Sequence, residues 1–435
     1  MKCIYKLINN FKLFFRELLI IFSPSSKLQR RTNGKMQKKW KLFELFHATD
    51  FESLMYPSFT CCYMLGIFPY KINALAFEAS TSRYIFSTIT ICVCFASLLY
   101  ILYIINICGC IKYINVPTTL NRNCFYVLSG FIAVVTHILS GPRMHLLQSI
   151  KEISSKLPLE LYRKLSRLIH TKDILGSLFL LLQTPIFLKM NIHIIIKIFI
   201  IYVNLLIFHM DMLYMNCVCI LKACFKRIND NLENMREQMM IHNLNKICYK
   251  QKISFLLIEL KTLKKRHLII SNTVQTLNII FSLQLLATVI LTFTQITFDL
   301  YFQILYWQRD ISMMDINGYS YSAVLAIFTM YYFVKIMLIV WACETSKDQA
   351  MQIGTSIHDA LNSIGNNRIK NELQLFSLQI LHRKNTFSPK GFAMNATLLT
   401  AIIGSVSTYL FILTQFLNMT YYCDDEVTKN VTQIH

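Results

Sequence analysis

Seven apolar runs govern what this chain can fold into. They cover residues 84–107, 125–141, 173–187, 192–221, 274–298, 319–343 and 392–420. A helix needs about 20 mostly apolar residues to cross a bilayer core. Inside lipid a segment of that length must satisfy its own backbone hydrogen bonds, which a helix does. The second and third runs are short and their ends are the least defined. Another apolar stretch, 54–70, is broken by Pro57, Gly66 and Pro69 and reads as an interfacial segment leading into the first span. Charged residues make up 15% of the chain, against about 25% in average soluble domains. The expected fold is all-α: a polytopic membrane protein with seven transmembrane helices.

The basic residues orient it. Of 44 Lys and Arg, 37 fall in the N-terminal region and in every second segment after it. Six fall on the other side, counting Lys197 in the outer part of the fourth run, and Lys335 lies within the sixth run. Cytoplasmic loops are enriched in Lys and Arg, so the N-terminus is expected inside and the C-terminus outside. The net charge of +21 then belongs to the loops. A nucleic-acid partner is not expected, because that needs a soluble basic face. Two glycosylation acceptors, Asn418 and Asn430, fall on the outer side. Asn418 is close to the membrane, so Asn430 is the better acceptor.

This gives a domain plan. Residues 1–83 form a cytoplasmic N-terminal region, and 84–221 hold spans one to four. Residues 222–273 are a cytoplasmic helical extension, and 274–343 hold spans five and six. Residues 344–391 are a cytoplasmic helical segment, 392–420 the last span and 421–435 an extracellular tail. In the N-terminal region Leu7, Phe11, Phe14, Leu18 and Phe22 recur at helical spacing beside Lys6, Lys12 and Arg16. That stripe suits a helix on the inner membrane surface, or one packed in the cytosol. Its charges and its lack of a small-residue cleavage site do not fit a signal peptide. Further stripes (Ile228, Leu232, Met235 and Met239; Ile253, Leu256, Leu260 and Leu263; Leu373, Phe376 and Ile380) continue helices into the cytoplasm. They must be buried, either within one subunit or in an anchor where subunits meet.

Enzyme chemistry is missing. H-E-x-x-H, G-x-S-x-G, the phosphate-binding loop and the dinucleotide fingerprint are all absent. The His are scattered, and none of His137, His193 and His209 has a second ligand four residues on, so no metal and no cofactor are expected. Cys92, Cys94, Cys108, Cys110, Cys217, Cys219 and Cys343 lie in or beside apolar runs and read as small hydrophobes. Asp211 and Lys335 are ionisable residues inside spans, where they must face protein or water. A buried structural pair and a gating role both remain open for them. The inside N-terminus rejects a G-protein-coupled receptor. The absence of a repeat with broken helices speaks against a secondary transporter.

The last span carries the clearest pattern. Thr397, Ala401, Gly404, Thr408, Ile412, Gln415 and Met419 fall on one line of a helical wheel. A small and polar stripe in an otherwise apolar helix serves close packing, or lines an aqueous pore when copies surround an axis. Ile412 and Phe416 would then form an apolar constriction that gates by dewetting.

Here the residues resemble a known family. The stretch Thr408-Tyr409-Leu410-Phe411-Ile412-Leu413-Thr414-Gln415-Phe416 is similar to the TYhhhhhQF signature (h, hydrophobic) of insect gustatory receptors, with Thr414 as the one departure. Residues 376–384 and Gly391-Phe392 resemble that family's helix and turn before the span. The resemblance implies a ligand-gated, non-selective cation channel opened by a small-molecule tastant. It implies a tetramer, homomeric or with related receptors, whose last helices form one pore in the plasma membrane of sensory neurons. The other readings are an odorant-receptor-like subunit needing a co-receptor and, further off, the transporter.

A ligand pocket opening outwards would draw on the outer halves of the spans. The candidates are Gln183, His193, Thr292, Gln295, Thr297, Asp299, Tyr319, Tyr321, Ser322 and Thr329. Only Trp307 of the three Trp lies outside, so an apolar or aromatic (bitter-class) tastant is favoured over a sugar. The last two outer segments hold Asp299, Asp310, Asp315, Asp424, Asp425 and Glu426 against Arg309 and Lys429. Asp424, Asp425 and Glu426 would place carboxylates at the pore mouth and attract cations.

Overall fold

The computed structural model describes residues 46–72, 76–108, 116–189, 193–240, 246–309, 316–383, 385–388 and 393–432. The 7–22 stripe lies outside them. Ten helices and one small hairpin make up the described fold. Helix α1 (Phe51–Met64) starts at a capping box in which the Asp50 carboxylate accepts from the Ser53 amide and the Ser53 hydroxyl accepts from the Asp50 amide. Its Phe51, Leu54, Met55, Phe59 and Cys62 are buried. The stretch read as interfacial is therefore a helix packed into the bundle, followed by a turn at Gly66 (φ 71°) and the hairpin β1 (Tyr70–Ile72) and β2 (Phe77–Ala79).

Helix α2 (Thr81–Tyr103) is the first span and ends in a π-turn, Ile104–Cys108. Cys108, read as a small hydrophobe, is disulfide-bonded. The expected second span falls across two helices joined by a bend. Helix α3 (Val116–Ile138) turns by 63° into α4 (Ser140–Ser154). The expected third span forms the second half of α5 (Leu159–Lys189).

Four long helices follow: α6 (Ile194–Met240), α7 (Lys246–Arg309), α8 (Ile316–Ser363) and, after the shorter α9 (Asn367–His382), α10 (Ala396–Thr432). Among the described residues five helices are long and apolar enough to cross a membrane, and α3–α4 make a sixth if the bent pair is one span. Helix α5 is not among them, because its first half is rich in Lys and Arg. Helix α10 runs beyond the expected membrane boundary at Thr420 to Thr432, so the backbone of the supposed tail is helical.

The core sits around α6. Residues 206–221 are buried on every face, as expected of a helix apolar all round. Beyond the apolar runs α6, α7 and α8 continue unbroken and pack together, and α7 and α8 pack with α9. Ile228, Leu232, Met235, Leu256, Leu260, Leu263, Leu373 and Phe376 are buried there within this one chain. The side chain of Met239 lies outside the described ones. Most of these stripes are thus buried inside a single subunit, with Ile253 and Ile380 partly buried. Other apolar side chains on these extensions, Phe255, Ile258, Leu375, Leu378 and Leu381, stay exposed.

Candidate functional site

Helix α10 is the least covered of the apolar helices. Leu398, Ile402 and Val406 are its buried side chains between Ala396 and Phe416. Their spacing marks one packed face, against α7 and α8. At 100° per residue the centre of the Thr397–Gln415 stripe lies about 120° from that face. Thr397, Ala401, Gly404, Thr408, Ile412 and Gln415 are all exposed in the single chain. A Cβ placed on Gly404 would meet nothing within 4 Å, so no contact inside the subunit requires a glycine there. The Thr408 hydroxyl donates to the Gly404 carbonyl at 3.0 Å.

The signature residues divide by face. The Tyr409 ring packs edge-on against Phe293 of α7, with centroids 5.7 Å apart, and ties α10 to the bundle. Thr408 and Gln415 point away from it, and Phe416 lies exposed between the two directions. The side chains of Met419, Asn418, Asp424, Asp425, Glu426 and Asn430 lie outside the described ones.

A second polar region runs through the interior. Gln284, Thr288, Thr292, Gln295 and Asp299 follow one another on α7 at steps of four, four, three and four, and all are buried. At one end, Asp211 of α6 lies 3.0 Å from the Lys335 ammonium of α8. It also accepts from Thr288 at 3.1 Å and from Gln284 at 3.4 Å. The Lys335 ammonium lies 5.9 Å from the Tyr331 ring and 5.6 Å from the Tyr332 ring. At the other end the Gln295 amide donates to Asn121 of α3 at 2.9 Å. Asp299 there has Arg122 and Tyr332 as electrostatic neighbours.

The expected pocket residues fall into different settings. Thr292, Gln295 and Asp299 share the α7 stripe. Gln183 of α5 is buried, and neither of its amide atoms has a hydrogen-bond partner; the Thr292 hydroxyl has none either. Thr297 and Thr329 donate back to the carbonyls of Phe293 and Leu325 on their own helices. Ser322 is half-buried, and His193 is exposed before α6. The side chains of Tyr319 and Tyr321 lie outside the described ones. Asp299 is buried, which removes it from the acids of an outer mouth. Sequence reasoning missed Asn121, Gln284, Thr288 and the stacked pair Phe179–Tyr331 (5.4 Å). The four-residue polar spacing on α7 was the available signal. A separate open groove of about 440 Å³ lies between α4 and α7, lined by residues that include Pro142, His145, Ser149, Thr273 and Thr276.

The family model described as 7tm Chemosensory receptor matches residues 55–419. The chain belongs to that family. Two proteins of Drosophila melanogaster are similar in sequence to this receptor. "Putative gustatory receptor 28b" is 29% identical over 155 residues, which is 34% of this chain and 32% of that protein. "Putative gustatory receptor 28a" is 26% identical over 180 residues, 40% of this chain and 39% of that protein. The alignments thus span about a third of the length of these curated relatives. The fold is similar to that of the insect olfactory receptor OR5 from Machilis hrabei, solved alone and in complex with eugenol. The TM-score is 0.61 at 13% identity, covering 83% of this receptor and 97% of that chain. The family is one of receptors rather than enzymes.

Proposed function

We propose that this receptor is a subunit of a tastant-gated, non-selective cation channel in which four copies of α10 line one pore. The observation that carries the reading is the α10 stripe. It is small and polar, it faces away from its own subunit, and Gly404 on it meets nothing in that subunit. Around a four-fold axis Thr408 and Gln415 would face water, and Ile412 and Phe416 would form the constriction. In this reading the N-terminus is cytoplasmic and the C-terminus extracellular, with Asn430 the glycan acceptor. Asp424, Asp425 and Glu426 on the extended α10 raise the local cation concentration within about 8 Å at physiological salt. The exposed Phe255, Ile258, Leu375, Leu378 and Leu381 would be covered by neighbouring subunits.

The tastant enters among α3, α5, α7 and α8. Gln183 and Thr292 offer buried hydrogen-bonding groups with no partner, and Phe179, Tyr331 and Tyr332 offer rings. That mixture suits an aromatic or largely apolar molecule with one or two polar groups. Sensory neurons are the setting the gustatory relatives suggest. The test is whole-cell recording from cells expressing this chain alone, with a tastant panel under sodium and chloride gradients. A tastant-evoked current whose reversal potential follows sodium is expected. A current that follows chloride, or one that appears only with a co-expressed second receptor, contradicts the homomeric cation channel.

A further inference from the structure

Arg143 occupies an unusual position. It lies in the first turn of α4, after the 63° bend, and is 3% exposed. Its Nη1 donates to the Thr136 carbonyl at 3.2 Å, and its guanidinium sits 5.3 Å from the centre of the Phe281 ring. Nε and Nη2 have no hydrogen-bond partner, and no carboxylate among the described residues lies within 4 Å. The groups that feel its charge are Cys62, Tyr70 and Cys217. Burial raises the Cys62 thiol above its ordinary range, so Cys62 stays neutral and is no counter-ion. One further buried donor, the Thr136 hydroxyl, also has no partner, while the Ser58 hydroxyl is bonded to the Cys62 thiol.

Guanidinium is charged at every physiological pH. A buried charge without a counter-charge is among the costliest features a fold can carry. A ring face offsets part of that cost, and buried water satisfies hydrogen bonds without supplying charge. The positive end of α4 adds to the same field. Cation, the Thr136 hydroxyl and helix end all ask for one thing, a negative partner.

We infer that a small inorganic anion, chloride in the cell, binds beside Arg143 where α1, α3, α4 and α7 meet. A lipid phosphate would need a path for its acyl chains, and Arg143, Thr136 and Ser58 are each sealed from the surface. A compact monovalent ion would accept from Nε and Nη2, with the Thr136 hydroxyl as a further buried donor. There it neutralises Arg143 and fixes the α3–α4 bend. This inference does not depend on the channel reading.

The test uses the full-length receptor in detergent, with chloride replaced by gluconate at constant ionic strength and melting followed by intrinsic fluorescence. The melting temperature should rise saturably as chloride or bromide is restored. Thr136→Val should raise the half-saturating concentration about tenfold, the loss of one hydrogen bond to an ion. Arg143→Met should melt at a temperature independent of halide. Bromide soaked into crystals should give an anomalous peak beside the Arg143 guanidinium. A wild-type melt indifferent to halide overturns the inference, as does an unchanged halide response in Arg143→Met. Stabilisation by anionic lipid but not by halide also overturns it, in favour of a headgroup. Should Arg143→Met not fold, the Thr136→Val shift and the bromide peak decide.

Discussion

Lys335→Met removes the cation from the centre of the bundle and leaves the Asp211 carboxylate fully buried. Only Thr288 at 3.1 Å and Gln284 at 3.4 Å would remain to hold it. Breaking one partner of a buried pair costs about 3–5 kcal/mol, because the other charge stays out of water. Asp211→Leu strands the ammonium at similar cost, with two tyrosine rings as partial relief. In the double variant Asp211→Leu/Lys335→Met no charge remains. Gln284 and Thr288 lose their acceptor, at roughly 1 kcal/mol each. The singles therefore sum to about 6–10 kcal/mol while the double costs about 2 kcal/mol. At about 2.1 cal/mol/K of unfolding entropy per residue, each single should lower the melting temperature by about 3–5 °C, and the double by about 2 °C. Melting of the purified receptor by fluorescence-detected size exclusion measures this. Additive losses in the double variant, or a Lys335→Met protein that melts like wild type, would refute the reasoning.

Three further outcomes follow from named contacts. Gly176→Ala puts a Cβ 2.2 Å from a Phe208 ring carbon and should cost about 1–3 kcal/mol of stability, whereas Gly404→Ala should leave melting unchanged and alter conductance instead. Ile412→Ala and Phe416→Ala should each raise ligand-independent current by removing apolar bulk from the constriction, and Gln415→Ala should change ion preference at normal surface level; patch recordings with surface biotinylation check all three. A tag beside Lys38 should be hidden in intact cells and Asn430→Gln should abolish a glycan shift on gels, since the basic residues divide 37 to six between the two sides.

The long helices were legible because their apolar runs are long. The errors arose where apolar length misleads. The bend after Ile138 falls inside a run read to Gly141, since a bend leaves composition unchanged. Pro57 and Gly66 made α1 look interrupted, yet Pro57 lies inside the helix and Gly66 supplies the left-handed turn after it. Half of α5 hid behind Lys and Arg, which mark a cytoplasmic extension as readily as a loop. In the candidate site, the α10 stripe was legible because 3.6-residue periodicity needs no partner to be seen. The Asp211–Lys335 pair was legible only as one of two open readings, because two spans of unknown packing give no distance. Gln284 and Thr288 lie deeper than the outer ends of the spans where a pocket is expected, and the polar spacing on α7 continues through them to Asp211.

The central claim is that the α10 face turned away from its own subunit lines the pore. Cysteine substitution along α10 reads that face directly, using a small charged thiol reagent during tastant-evoked currents and the unsubstituted receptor as the background. The account predicts rapid change of current at Thr408→Cys and Gln415→Cys, faster with tastant than without, and no change at Val406→Cys on the packed face. Modification of Val406→Cys at the rate of Thr408→Cys, or no effect at either Thr408→Cys or Gln415→Cys in receptors that still carry current, would contradict it.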